Sequence, residues 1–137
     1  EARTSVDDIS PPPAEVIPAH AHILLIDDHS DTLRSLARLL SRRGHTVTIA
    51  DSCATALAHF ANAKFDIVIS DLGLPDRSGI ELITDIRKTS SIPAIAMSGY
   101  GMEADLLRSK EAGFNLHLIK PVELGTLLAA IHRLCAN

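Results

Sequence analysis

Five times between residues 22 and 135 a short apolar run gives way to a longer amphipathic stretch, and this alternation narrows the fold more than any other feature of the chain. The apolar runs are HILLI (22–26), TVTIA (46–50), DIVIS (66–70), AIAMS (94–98) and LHLIK (116–120). Each has the length of a strand and is too short for a helix. The stretches between them carry helical spacing. In SDTLRSLARLLSRRG (30–44), Leu33, Leu36, Ala37 and Leu40 share a face, Ser30 or Asp31 is the expected N-cap, and Gly44 closes the last turn. Alanine-rich SCATALAHFANA (52–63) is the second helix, and others are expected near 79–88 and 102–112. The last, over 122–135, presents Leu124, Leu127, Leu128, Ile131 and Leu134 on one side. Strands alternating with such helices form βαβ units, with the strands parallel and helices on both faces. Four runs rich in Ile, Leu and Val read as strands covered on both faces, whereas the alternating TVTIA suits an edge. The expected fold is α/β: a doubly wound, five-stranded parallel sheet with five helices.

Residues 1–19, EARTSVDDISPPPAEVIPA, stand outside this pattern. Four prolines and no apolar period predict a flexible, proline-rich acidic linker, leaving residues 20–137 as one domain. The linker holds Glu1, Asp7, Asp8 and Glu15 against Arg3, so most of the net charge of −4 belongs to it. What remains is near neutral and has no basic stripe, so no nucleic-acid partner is expected. No apolar stretch approaches the roughly 20 residues that span a bilayer, and no signal-peptide pattern opens the chain. The expectation is a cytoplasmic segment without membrane contact. Cys53 and Cys135 fit neither a CxxC nor a Cys/His metal pattern and are expected as reduced thiols on helices. A start at Glu1 leads us to expect a piece of a longer protein.

In a doubly wound sheet, ligands sit beyond the carboxyl ends of the strands. After the first run come Asp27 and Asp28, and after the third Asp71. Ser98, Gly99 and Tyr100 close the fourth run; Lys120 and Pro121 close the fifth. Taken singly, each has an ordinary use as a cap, a turn residue or a solvated charge. Taken together, four separate segments deliver three acids, a hydroxyl and an ammonium to one edge. Three close carboxylates repel by several kcal/mol at an effective dielectric of about 20, unless a cation sits among them or one stays protonated. Oxygen ligands favour Mg²⁺ or Mn²⁺. Such a set supplies what phosphoryl transfer to a carboxylate demands: a nucleophile, charge neutralisation and donors for the phosphoryl oxygens.

The motifs LLIDDH, ISDLGLPDRSG, AMSG and LIKP, in this order and separated by helices, resemble the receiver domain of two-component response regulators over about residues 21–135. The resemblance implies a flavodoxin-like strand order 2-1-3-4-5. It makes Asp71 the acceptor of a phosphoryl group from a partner's phosphohistidine. Asp28 matches a direct Mg²⁺ ligand, Asp27 an acid reaching the metal through water, and Gly73 a ligand through its backbone carbonyl. Ser98 matches the hydroxyl that swings onto the phosphoryl group, Lys120 the lysine that pairs with it, and Lys120–Pro121 a cis bond. Partners implied are a histidine kinase or histidine phosphotransfer domain, with a possible homodimer through the helix 4–strand 5–helix 5 face. Two positions tune the switch. His117 stands where relatives carry an aromatic that turns inward, and reads either as a structural histidine or as a pH-sensitive one. Tyr100 either shields the phosphoryl group from water or packs the loop onto the next helix.

Competing readings are a receiver-like interaction module that is not phosphorylated, and a Mg²⁺-dependent phosphatase with an aspartate nucleophile. The second usually places another acid two residues after the nucleophile, where this chain has Gly73. A flavodoxin is disfavoured because DDHSD would repel an anionic flavin phosphate. The proline-rich arm points to the C-terminal receiver of a hybrid histidine kinase, with a regulator trimmed to its receiver as the alternative.

Overall fold

Strands and helices alternate without interruption through the computed structural model, which describes residues 20–99 and 103–135. The expected linker (1–19) and Tyr100 lie outside the described residues. The strands are β1 (His22–Ile26), β2 (Thr46–Ala50), β3 (Ile67–Asp71), β4 (Ala94–Ser98) and β5 (Leu116–Ile119). The helices are α1 (Ser30–Arg42), α2 (Cys53–Asn62), α3 (Gly79–Arg87), α4 (Glu103–Ala112) and α5 (Leu124–Cys135). All pairings are parallel, and the order is β2-β1-β3-β4-β5.

The continuous apolar runs follow from a strand's two-residue period when both faces are covered. Ile23 and Leu25 of β1, Ile67 and Ile69 of β3, and Ile95 and Met97 of β4 enter one core with Leu33 and Leu40 of α1 and Leu127 and Ile131 of α5. The alternate residues Leu24, Ile26, Val68, Ala94 and Ala96 enter the other, with Cys53 and Ala56 of α2 and Leu82, Ile83 and Ile86 of α3. Each fully buried Leu or Ile contributes about 1.5–3 kcal/mol over an exposed one. A one-residue slip would exchange the two cores and carry the strand-end acids with them.

Two local readings are corrected. The first turn of α1 begins at Ser30, so the N-cap position is His29, which makes no side-chain capping bond. Neither Ser30 nor Asp31 is the cap. β5 is not covered on both faces: Leu116, His117 and Leu118 are only half-buried, and Ile119 is exposed. Other termini follow the expected chemistry. Ser52 and Ser78 cap α2 and α3 by accepting from the backbone N–H groups of Thr55 and Glu81. Gly44 follows α1 with φ 95°, a left-handed conformation that glycine adopts without a Cβ penalty.

The histidines at the domain's entrance tie β1 to its neighbours. The His22 N–H donates to Asp66 Oδ2 at 2.7 Å, and the Ala21 N–H donates to His45 Nδ1 at 3.1 Å. Burial, and then the nearby His20, hold His45 below its ordinary value of 6.5. The unfolded chain therefore takes up this proton first, and stability is lost as pH falls through about 6.5. His29 works in the opposite direction: its value is raised by Asp27 and Asp28, so it favours the folded state at low pH. The contribution of His45 is thus read as a difference: His45→Gln, which keeps an acceptor but does not titrate, is expected to lose less thermal stability than the parent between about pH 7 and 5. Parallel melting-temperature profiles for the two proteins would contradict this.

Candidate functional site

The carboxyl ends of four strands meet at one edge. Backbone hydrogen bonds extend the sheet just past its regular pairs and fix where each following side chain emerges. Asp27 N donates to Ala50 O at 3.1 Å, Leu72 N to Met97 O at 2.9 Å, and Lys120 N to Ser98 O at 2.8 Å. The Lys120–Pro121 bond is cis, as the resemblance implied. An open cleft results, lined by Asp28, His29, Asp71, Ser98, Arg108 and Lys120 among others.

Lys120 Nζ donates to Asp71 Oδ2 at 2.7 Å and to Asp27 Oδ2 at 3.0 Å. Both acids are buried, and only 23% of the lysine side chain is exposed. Burial pulls the Lys120 value down, but the hydrogen bonds and charges of the two acids outweigh it, and the net direction is upward. Burial likewise pushes Asp27 up, and bonds from the His29 backbone, the His29 ring and Lys120 leave it below the usual carboxylate value. One ammonium therefore bridges the two carboxylates and offsets their mutual repulsion. Two like charges 4 Å apart would otherwise repel by about 4 kcal/mol at an effective dielectric of 20.

Asp28 is exposed and faces the same cleft. One donor atom each from Asp27, Asp28, His29 and Asp71 lies within 4.8 Å of all the others. Three carboxylates in that span suit a hard divalent cation that prefers oxygen. The expected ligand set Asp27, Asp28 and Asp71 is thus brought together. Gly73 sits beside it, with its N–H donating to Asp71 Oδ1 at 3.1 Å. Nothing local requires glycine at this position: it lies outside the left-handed region, and an added Cβ would meet nothing within 4 Å. Glycine is required instead at Gly79, where a Cβ would lie 2.5 Å from the Asp71 carbonyl oxygen and 2.9 Å from Leu72 Cα. The start of α3 packs directly against the backbone that carries Asp71, and Gly79 N donates to Leu72 O at 2.8 Å.

Ser98 reaches the cleft wall, but its hydroxyl lies 2.7 Å from His117 Nε2. The two positions singled out separately in the sequence are therefore in contact.

Three contributors escaped the sequence reading. His29 lies 2.9 Å from Asp27 Oδ1, 3.2 Å from Asp28 Oδ1 and 4.0 Å from Asp71 Oδ2. Its place directly after two strand-end acids was a usable signal. Asp76 accepts from the N–H groups of Cys53 and Ala54 at 2.9 Å each, so the β3–α3 loop caps α2. These bonds hold its carboxyl below the usual value. Arg108 lines the cleft from α4. No short-range pattern marks the last two, because the helix that Asp76 caps and the cleft that Arg108 lines are built from other segments.

Residues 23–132 match the family described as the response regulator receiver domain. The chain is 36% identical over 110 residues to the KDP operon transcriptional regulatory protein KdpE of Escherichia coli K12, covering 80% of this chain and 49% of that protein. It thus spans about half the length of that relative. The crystal structure of a response regulator receiver domain protein from Clostridium thermocellum aligns with a TM-score of 0.79 at 31% identity, over 84% of this chain and 94% of that one. A response regulator from Burkholderia pseudomallei, crystallised with a phosphorylated aspartic acid, a calcium ion and citrate, aligns with a TM-score of 0.76 at 31% identity. That alignment covers 80% of this chain and 65% of the other.

Proposed function

The chain belongs to the response regulator receiver domain family, and from that premise we propose that Asp71 accepts a phosphoryl group from a partner's phosphohistidine. Receiver domains interact with histidine kinases or phosphotransfer proteins, and this one is a signalling domain rather than a metabolic enzyme. The observation that carries the assignment of Asp71 is its shared position: one carboxylate in contact with Lys120, inside a four-residue donor cluster, at the end of a central strand.

In the transfer, a carboxylate oxygen of Asp71 forms the new O–P bond while the N–P bond to the donor's imidazole breaks. The electron pair of that bond leaves with the imidazole nitrogen. Lys120 lies against Asp71 beforehand and supplies positive charge beside the phosphoryl oxygens afterwards. Ser98, at the cleft wall, is the hydroxyl donor for one of those oxygens. Mg²⁺ held by Asp28, Asp71 and the Gly73 carbonyl, with Asp27 behind them, would neutralise the acids and polarise the phosphoryl group. Mn²⁺ suits the same donors. Transfer without a kinase, from a small acyl phosphate, and slow hydrolysis of the product belong to the same reading. So do a receiver spanning 20–137 tethered by the 1–19 linker to another module, a histidine kinase in the favoured case, and a homodimer through α4, β5 and α5.

The test is direct. Acetyl phosphate with Mg²⁺ is expected to add one phosphate to the intact protein by mass spectrometry, and chelation of the metal should abolish the gain. An unmodified protein under conditions that phosphorylate a control receiver would favour the unphosphorylated interaction module.

A further inference from the structure

Ser109 is a polar residue in the middle of α4, 1% exposed, and its surroundings determine how it bonds. Its hydroxyl donates to Leu106 O at 3.0 Å, which uses its one proton. Its oxygen lies 3.0 Å from His117 Nδ1 and can there only accept, so Nδ1 carries a hydrogen. In the neutral ring Nε2 is then an acceptor, and the Ser98 hydroxyl at 2.7 Å donates to it. Register makes the contact possible. His117 pairs with Ala96, and Ser98 lies two residues further along β4 on the same face.

A directed chain results, running from Ser98 through His117 to Ser109 and the Leu106 carbonyl. It joins the cleft wall to α4 across the end of the sheet. The Ser98 proton cannot point at Nε2 and at a phosphoryl oxygen on Asp71 at the same time.

We propose that this chain is a hydrogen-bonded latch: His117 holds the Ser98 hydroxyl away from Asp71 in the resting protein, and its release is transmitted to α4 through Ser109. His117 and Ser109 are positioning residues, since neither touches the reacting atoms. The release step rests on Asp71 accepting a phosphoryl group; the holding step does not. When Ser98 turns to the phosphoryl group, Nε2 loses its donor. The ring then readjusts, and its bond to Ser109 moves with it.

Ring-nitrogen NMR of the ¹⁵N-labelled full chain tests both steps. In the free protein His117 is expected as the Nδ1–H tautomer. Ser98→Ala should shift the Nε2 resonance in the direction expected for loss of a hydroxyl donor. Mg²⁺ with beryllofluoride, a mimic of the phosphoryl group, should move Nε2 the same way in the parent protein. Amides of residues 106–112 should shift as well, and Ser109→Ala should remove most of that α4 response while still loading at Asp71. An Nε2–H tautomer, or an Nε2 indifferent to Ser98→Ala, overturns the latch. Equal α4 shifts in parent and Ser109→Ala overturn the transmission. If the amides of Asp71 and Leu72 show that beryllofluoride does not bind, the phospho-accepting reading fails with the release step, and the tautomer in the free protein still decides the holding step.

Discussion

With Asp71 replaced by asparagine, protein incubated with acetyl phosphate and Mg²⁺ is expected to carry no phosphate detectable by intact-mass spectrometry. The amide keeps the shape of the carboxylate but not its anionic oxygen, so it offers phosphorus no nucleophile. The loss should be roughly a thousand-fold or more, the scale seen when a covalent nucleophile is removed. Neighbouring acids do not substitute for it. Asp27 is 1% exposed and its oxygens are engaged by His29 and Lys120. Asp28 is exposed but lacks the Lys120 contact that marks Asp71. The same modified mass on the Asp71→Asn chain would place the acceptor elsewhere and remove the central assignment.

Replacing Lys120 by methionine should lower stability by about 2–3 kcal/mol. Breaking a buried ion pair from one side costs about 3–5 kcal/mol, because the remaining charge is left without a partner. The loss here falls at or just below the bottom of that range, since 23% of the lysine side chain is exposed and water reaches the ammonium. For a domain of this size the loss corresponds to a fall of about 10 °C in melting temperature. Two rescues should separate lost charge from lost packing. Lys120→Met combined with Asp71→Asn removes one of the stranded charges and should recover much of the fall. Millimolar Mg²⁺ should raise the melting temperature of Lys120→Met more than that of the parent, since binding to the folded state alone stabilises it. A single variant that melts within a degree of the parent would show that the ammonium does not hold the two acids together.

Much of this architecture was legible in the chain. Runs such as LLI and IVI have no polar position to turn outward, so they had to lie in a sheet covered on both sides. The acids that follow them had to emerge at one edge, because parallel strands all point the same way. Asp27, Asp71 and Lys120 could be placed at one site for that reason alone, and the side chains are indeed in contact. The buried character of β5 was misjudged because Leu116, Leu118 and Ile119 resemble any core run. Only the packed structure, where Leu116, His117 and Leu118 are half-buried and Ile119 is exposed, reveals the difference. Gly73 and Gly79 teach the same lesson. Both are glycines near a functional loop, yet one has open space around it and the other presses on the Asp71 backbone.

By itself the sequence determined the element order, the two-faced sheet and the end of the sheet where its acids collect, since those follow from periodicity and chain direction. The tertiary structure alone decided which hydrogen bonds those groups make: His29 inside the acidic cluster, Asp76 capping a distant helix, and Ser98 engaged by His117 and, through it, by Ser109. The physical reason is range. Periodicity is a property of neighbours along the chain, whereas a hydrogen bond depends on a few tenths of an ångström between residues that only the packed sheet brings together.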